Sequence, residues 1–177
     1  MILITALLLV GLAISLPIFI ATKNNIVEAI TISIGVALYH FVMRLAVGSV
    51  VGLIMKNKAN YKSIWFREKS FEKRLYRLMR VQKWKKLIPT YSPEAFDTSQ
   101  KTTEEIIGAT CQAEIVHEVI MAFSLLPIIL IPFLGGAVAL IITSVFSMIF
   151  DYMFVVLQRY NRPKLIRVAE RFKSIKG

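Results

Sequence analysis

Cysteine is nearly absent from this 177-residue chain: Cys111 stands alone, which excludes an intrachain disulfide and any cysteine-built metal centre. Histidine is almost as scarce. His40 and His117 offer a metal at most two imidazoles, with carboxylates left to supply the rest. No glycine-rich phosphate loop and no serine nucleophile elbow occurs, which disfavours P-loop phosphoryl transfer and α/β-hydrolase chemistry. Internal repeats and low-complexity runs are missing too. Acidic residues number 11 against 22 lysines and arginines, a formal charge of +11.

What is abundant is apolar sequence, 56% of the chain, enough for one domain with a composition beyond the soluble norm. A membrane span needs about 20 mostly apolar residues to cross a hydrocarbon core roughly 30 Å thick. Four stretches qualify, at about 1–21, 26–55, 106–134 and 136–157. The first lacks a basic n-region and a small-x-small cleavage site before Lys23, so it is expected to be a retained span rather than a signal peptide. The fold class expected is an all-α integral membrane protein, a single membrane domain over 1–177, with four transmembrane helices.

Charge sets the expected orientation. Of the 22 basic residues, 13 lie between 56 and 101 and seven between 159 and 177. The positive-inside rule then makes the long loop, the basic C-terminal tail (159–177) and both termini cytoplasmic, with short outer turns at 22–25 and near Gly135-Gly136. Basic residues beside spans serve orientation and anionic headgroups, so membrane lipids are the expected partners and nucleic acid is not. Within the loop, Ile64, Phe71, Leu75 and Leu78 recur at helical spacing among arginines and lysines, flanked by Trp65 and Trp84. This pattern predicts an amphipathic helix over about 61–89 on the cytoplasmic leaflet. A lipid-bound helix of that kind serves equally as topological glue and as a grip on substrate. Ser92-Pro93-Glu94 reads as a further helix start. Pro127 and Pro132 should loosen the outer half of the third span, and Gln158 to Pro163 should close the fourth before a short basic helix at 164–176.

Ionisable residues inside the spans point to function. His40 and Arg44 lie in the second, Glu114, His117 and Glu118 in the third, and Asp151 in the fourth. A charge there costs at least about 2.5–3.5 kcal/mol, so partners or function must offset it. Counted from the cytoplasmic ends at 1.5 Å per residue, Arg44, Glu114 and Asp151 lie about 15, 12 and 9 Å deep, a shared layer expected to converge on one pocket. Glu114, His117 and Glu118 share a helix face. A carboxylate beside an imidazole raises its basicity, which suits general-base attack on a hydroxyl, and Arg44 can steady developing negative charge. The plainer readings are ion pairs, Arg44–Asp151 or Arg44–Glu114, that lock helices together, and a hydrogen-bonded packing role for His40. A di-iron site is disfavoured because Glu-x-x-His occurs once, without matching glutamates.

Three stretches carry a resemblance: Phe71-Glu72-Lys73 running to Val81-Gln82-Lys83-Trp84-Lys85-Lys86, Ala113-Glu114-Ile115-Val116-His117, and Val156-Leu157-Gln158-Arg159-Tyr160-Asn161-Arg162-Pro163-Lys164-Leu165. Over roughly 65–172 the chain resembles the glycosyl-4,4′-diaponeurosporenoate acyltransferases, membrane enzymes that complete staphyloxanthin synthesis, and related small Firmicute membrane proteins. The resemblance implies acylation of a sugar hydroxyl on a lipid-linked glycoside. By position, Glu114 and His117 match the family's Glu-x-x-His, and Arg159, Asn161 and Arg162 its closing motif. Glu118 stands where the family usually has an aromatic residue, and Gln112 where it tends to have arginine.

The combined expectation is a membrane acyltransferase with no permanently bound cofactor or metal, using acyl-CoA or another acyl donor on a lipid or glycolipid acceptor. His117 would act as base with Glu114 orienting it, and Arg44 or Arg159 would stabilise the oxyanion. His40, Glu118, Asp151, Asn161, Arg162, Lys164 and Trp84 would contact substrate, and Arg162, Lys164 and the basic amphipathic helix would hold the phosphates of an acyl-CoA donor or a phospholipid headgroup. The alternatives are a non-catalytic lipid- or glycolipid-binding protein and a small integral-membrane methyltransferase.

Overall fold

The computed structural model describes residues 1–85, 87–88, 96–97 and 99–176, the side chains at 173, 175 and 176 excepted. Among these residues the regular structure is helical: α1 (Ile2–Thr22), α2 (Asn25–Met55), a 3₁₀ turn (Ile64–Phe66), α3 (Glu72–Leu78), α4 (Val81–Trp84), α5 (Thr103–Ser124), α6 (Leu126–Ile129), α7 (Ile131–Leu134) and α8 (Ala137–Lys176). Four segments are long and apolar enough to cross a membrane: Ile2–Thr22, Asn25–Met55, Thr103–Ile129 and Ala137–Phe172.

Local chemistry sets these boundaries. Lys23 closes α1 in the left-handed region (φ 52°), and the Asn24 side chain caps α2, accepting from the Ile26 amide at 2.8 Å. Thr102 and Glu105 form a reciprocal capping box at the start of α5: the Glu105 carboxylate accepts from the Thr102 amide, and the Thr102 hydroxyl from the Glu105 amide. Pro127 and Pro132 break the helical run after Ser124 into α6 and α7, as their missing amides dictate. Gly135 and Gly136, at φ 66° and 59°, then turn the chain into α8.

Two expectations need correction. The fourth helix does not end near 157 before a separate basic helix; α8 is continuous for 40 residues, with Pro163 inside it. The stretch 61–89 is not one amphipathic helix. Arg80 adopts a left-handed conformation (φ 51°) between α3 and α4, and the carbonyls of Trp65, Phe66 and Arg67 turn to arginine side chains instead of a helical ladder. The supposed lipid face, with Ile64, Phe71 and Leu78, is nonetheless exposed, while Glu72 and Tyr76 point inward. The helix start proposed at Ser92-Pro93-Glu94 lies outside the described residues.

The chain divides into two compact units. The first comprises Met1–Ser49 and Val119–Asp151, the second Val50–Glu118 and Tyr152–Gly177. In the first unit the Tyr39 hydroxyl donates to the Phe123 carbonyl at 2.8 Å, where the kinked α5–α6 junction leaves that acceptor available. In the second, Lys56 and Asn57 both turn with positive φ after α2. This brings the Asn57 carbonyl onto α5 at Gly108, where a Cβ would sit 2.1 Å from that oxygen, and the Asn57 amide donates to Gln112 at 2.7 Å. Only glycine permits that approach. A small apolar core of Tyr76, Val81 and Val156, flanked by Met79, Trp84 and Tyr160, holds α3 and α4 to α8.

Candidate functional site

The densest polar arrangement is in the second unit and is built on a helical repeat. Arg159 and Arg162 sit three residues apart on α8, so both guanidiniums leave the same face. Glu114, fully buried on α5, gives one carboxylate oxygen to Arg159 and the other to Arg162. Glu72, nearly buried on α3, is the second acid, accepting from Arg159 Nε at 2.9 Å and again from its Nη2. Two guanidiniums thus face two carboxylates, and their formal charges cancel. Unpaired burial of any one would cost several kcal/mol, which the mutual pairing offsets.

The rest of each guanidinium is equally committed. Arg159 donates to the Trp65 and Arg67 carbonyls, both at 3.0 Å, which completes its five N–H groups. Arg162 donates to the Thr110 hydroxyl and carbonyl, both at 3.0 Å, and to the Phe66 carbonyl at 3.3 Å, with its Cζ over the Phe66 ring, 5.0 Å from the ring centre. Arg159 therefore has no N–H to spare for an oxyanion while these bonds stand. Arg162, 1% exposed, is likewise turned inward, away from any ligand in solvent. The remaining oxygen of Glu72 accepts from the Tyr76 hydroxyl at 2.7 Å. Burial, reinforced by that bond to Glu72, pushes the Tyr76 phenol well above the usual tyrosine range.

His117, one turn along α5 from Glu114, is half-buried. Its imidazole stacks on Phe154 of α8, ring centroids 4.4 Å apart and planes inclined by 14°. Both Glu114 oxygens, one turn away, accept from arginines. Glu118 is also half-buried and accepts from the Trp65 indole N–H at 3.0 Å. Asn161 is half-buried on α8. Trp84 packs in the Tyr76–Val81–Val156 core, its indole donating to the Met79 carbonyl at 2.8 Å, and Lys164 is exposed with its ammonium 3.6 Å from the Tyr160 ring centre.

His40, Arg44 and Asp151 belong to the first unit. Arg44 pairs with the buried Asp151 and donates to the Ser147 hydroxyl at 2.8 Å, and Ser147 exchanges a hydrogen bond with Ser124 at 2.9 Å. The Arg44–Asp151 pairing, one of the two that the sequence offered, is thus the one formed. His40 is buried edge-on to Tyr39, and its ring nitrogens have no hydrogen-bond partner among the described residues. Sequence reasoning missed Glu72, Thr110, Ser147 and Phe154. Glu72 had a signal, as an acid embedded in a strongly basic stretch; a phenylalanine, a serine or a threonine in an apolar helix has none.

A sequence profile for glycosyl-4,4'-diaponeurosporenoate acyltransferases matches residues 62–171, which include Glu72, Glu114, His117, Arg159 and Arg162. The chain belongs to this family. No curated protein and no solved structure matched the chain. The family match begins just before the 3₁₀ turn and ends near the end of α8, so every group of the ion cluster falls inside it. With four candidate spans, this acyltransferase-family chain reads as a multi-pass membrane protein.

Proposed function

We propose that this protein transfers a fatty acyl group to a hydroxyl of a lipid-linked sugar, with its chemistry at the cytoplasmic leaflet. The family name supports a glycosylated carotenoid acid as acceptor. The observation that carries the reading is His117: an ionisable, half-buried imidazole held by Phe154 beside a neutralised ion cluster within the family region.

In this mechanism the imidazole takes the proton of the acceptor hydroxyl as its oxygen attacks the acyl carbonyl. The tetrahedral intermediate collapses by breaking the bond to the donor's leaving group, which recovers the proton from the imidazolium. Glu114, Arg159, Arg162 and Glu72 act as positioning residues that clamp α5, α3 and the 65–67 backbone to α8. Arg44, committed to Asp151, takes no part in the chemistry. The basic loop and tail support the cytoplasmic placement. The exposed Ile64, Trp65, Phe71 and Leu78 support a lipid-facing surface on the 61–89 stretch.

The engagement of Arg159 and Arg162 by protein acceptors favours a second reading, a lipid-binding protein whose ion cluster is purely structural. Mass spectrometry of lipid extracts separates the two, using cells with wild type or His117→Ala at matched membrane levels. A glycolipid heavier by a fatty-acyl mass with wild type alone establishes acyl transfer. Identical profiles, with one lipid co-purifying with both proteins, overturn it in favour of binding.

A further inference from the structure

Cations that the ion cluster does not use gather on another part of the second unit. A cleft of about 470 Å³ opens between α3, α4 and α8, and six of its lining residues are Lys73, Arg77, Arg80, Lys83, Lys164 and Arg167. All six are exposed. Among its described lining residues one carboxylate, Glu68, opposes them, and its contact with Lys73 is long at 3.9 Å. Tyr76 and Tyr160 form part of the wall, and the Lys164 ammonium is held over the Tyr160 ring. The volume falls in the range of small-molecule sites, roughly 300–1,000 Å³.

Three features distinguish this cleft from a basic face that merely orients the chain. Lys73 and Arg77 stand at i, i+4 on α3, and Lys164 and Arg167 at i, i+3 on α8, like-charge spacings that disfavour their own helices. The left-handed backbone at Arg80, costly for a non-glycine residue, turns α4 so that Lys83 lines the same concavity as the α3 cations. The neighbouring arginines of α8 are neutralised by Glu72 and Glu114, whereas these six meet a single acid among the described lining residues. Repulsion concentrated in a concave site is relieved by an anion of high charge density.

We propose that this cleft binds a phosphate-bearing ligand, whether the polyphosphate end of a nucleotide-linked acyl thioester or the phosphodiester headgroup of an anionic lipid. Its assignment to the acyl donor rests on the acyl-transfer reading above; its chemistry as a phosphate site does not. Arginine forks from α3 and the α3–α4 junction would clasp phosphate oxygens in pairs, and Lys83 and Lys164 would add point charges from either wall.

The test uses the full-length protein in neutral detergent, titrated calorimetrically with inorganic pyrophosphate, with coenzyme A and with phosphate-free pantetheine. Wild type is expected to bind the first two saturably and not the third. The variant Arg77→Gln/Arg80→Gln/Lys164→Gln/Arg167→Gln should weaken binding by about a hundredfold or more. Arg74→Gln/Lys69→Gln, exposed positions that do not line the cleft, should leave it unchanged. Native mass spectrometry of protein from mixed phosphatidylcholine and phosphatidylglycerol nanodiscs is the second arm. Phosphatidylglycerol enrichment that the quadruple variant loses, without coenzyme A binding, assigns the site to a headgroup. Equal behaviour of wild type and the quadruple variant in both arms, or neither binding nor enrichment in wild type, overturns the proposal. Acyl product without phosphate binding defeats this inference alone; phosphate binding without acyl product defeats only the catalytic reading.

Discussion

Arg162 and Glu114 form an ion pair in which neither side chain exposes more than 1% of its surface. Glu114 is shared with Arg159, so one carboxylate holds two guanidiniums. Removing it leaves both arginines short of a partner in an interior that cannot hydrate them. Glu114→Ala should therefore lower stability by about 3–5 kcal/mol. Thermal unfolding in detergent, followed by tryptophan fluorescence, measures this; a loss under about 1 kcal/mol, the worth of an exposed pair, would count against the cluster as the organiser of the second unit.

Arg44 and Asp151 invite a double substitution. Either residue alone, changed to Met or Leu, strands its partner and should destabilise by about 3–5 kcal/mol, whereas Arg44→Met with Asp151→Leu should recover most of that loss. A double variant with wild-type stability and undiminished acyl transfer is expected if the pair only locks helices. Loss of activity in a stable double variant would return Arg44 to the chemistry.

Gly108 and Gly48 predict opposite outcomes for one chemical change. An added Cβ at Gly108 meets the Asn57 carbonyl oxygen at 2.1 Å, while at Gly48 nothing lies within 4 Å. Gly108→Ala should destabilise by about 1–3 kcal/mol through forced backbone movement. Gly48→Ala should stabilise by up to about 1 kcal/mol through helix propensity. Melting curves of the two variants side by side decide this.

Tyr76 sets a limit on alkaline stability. Its phenol is raised above the ordinary value by burial and by its bond to Glu72, so the folded state keeps a proton that the unfolded chain releases. Its contribution is complete below the unfolded pKa of about 10 and declines as pH rises above it. Stability should fall from about pH 10 upward with wild type, and less steeply with Tyr76→Phe. Parallel slopes in pH-dependent melting would refute this.

Spans, turns and polar insertions are written in local composition. The apolar runs, the glycine pair before α8 and the prolines after Ser124 act within a few residues of themselves, so hydropathy and backbone chemistry suffice to read them. The Glu114/His117 motif was legible for the same reason, as residue types too costly to bury idly, whereas Arg159 and Arg162 entered only through the family resemblance. The continuity of α8 through Pro163 was not, because packing of its neighbours outweighed a local breaker. Nor was the broken course of 61–89, whose carbonyls are claimed by arginines more than 90 residues away.

The sequence by itself thus determined a helical chain with four candidate membrane spans, its charge asymmetry and the family to which it belongs, since each depends on composition or on short motifs. Tertiary structure alone decided what those charges do. Whether an arginine is a ligand for substrate or for its own protein depends on which acceptors the fold brings within hydrogen-bonding reach. For Arg159 and Arg162 these are Glu72, Glu114 and the 65–67 backbone, contacts between distant segments that no local pattern encodes.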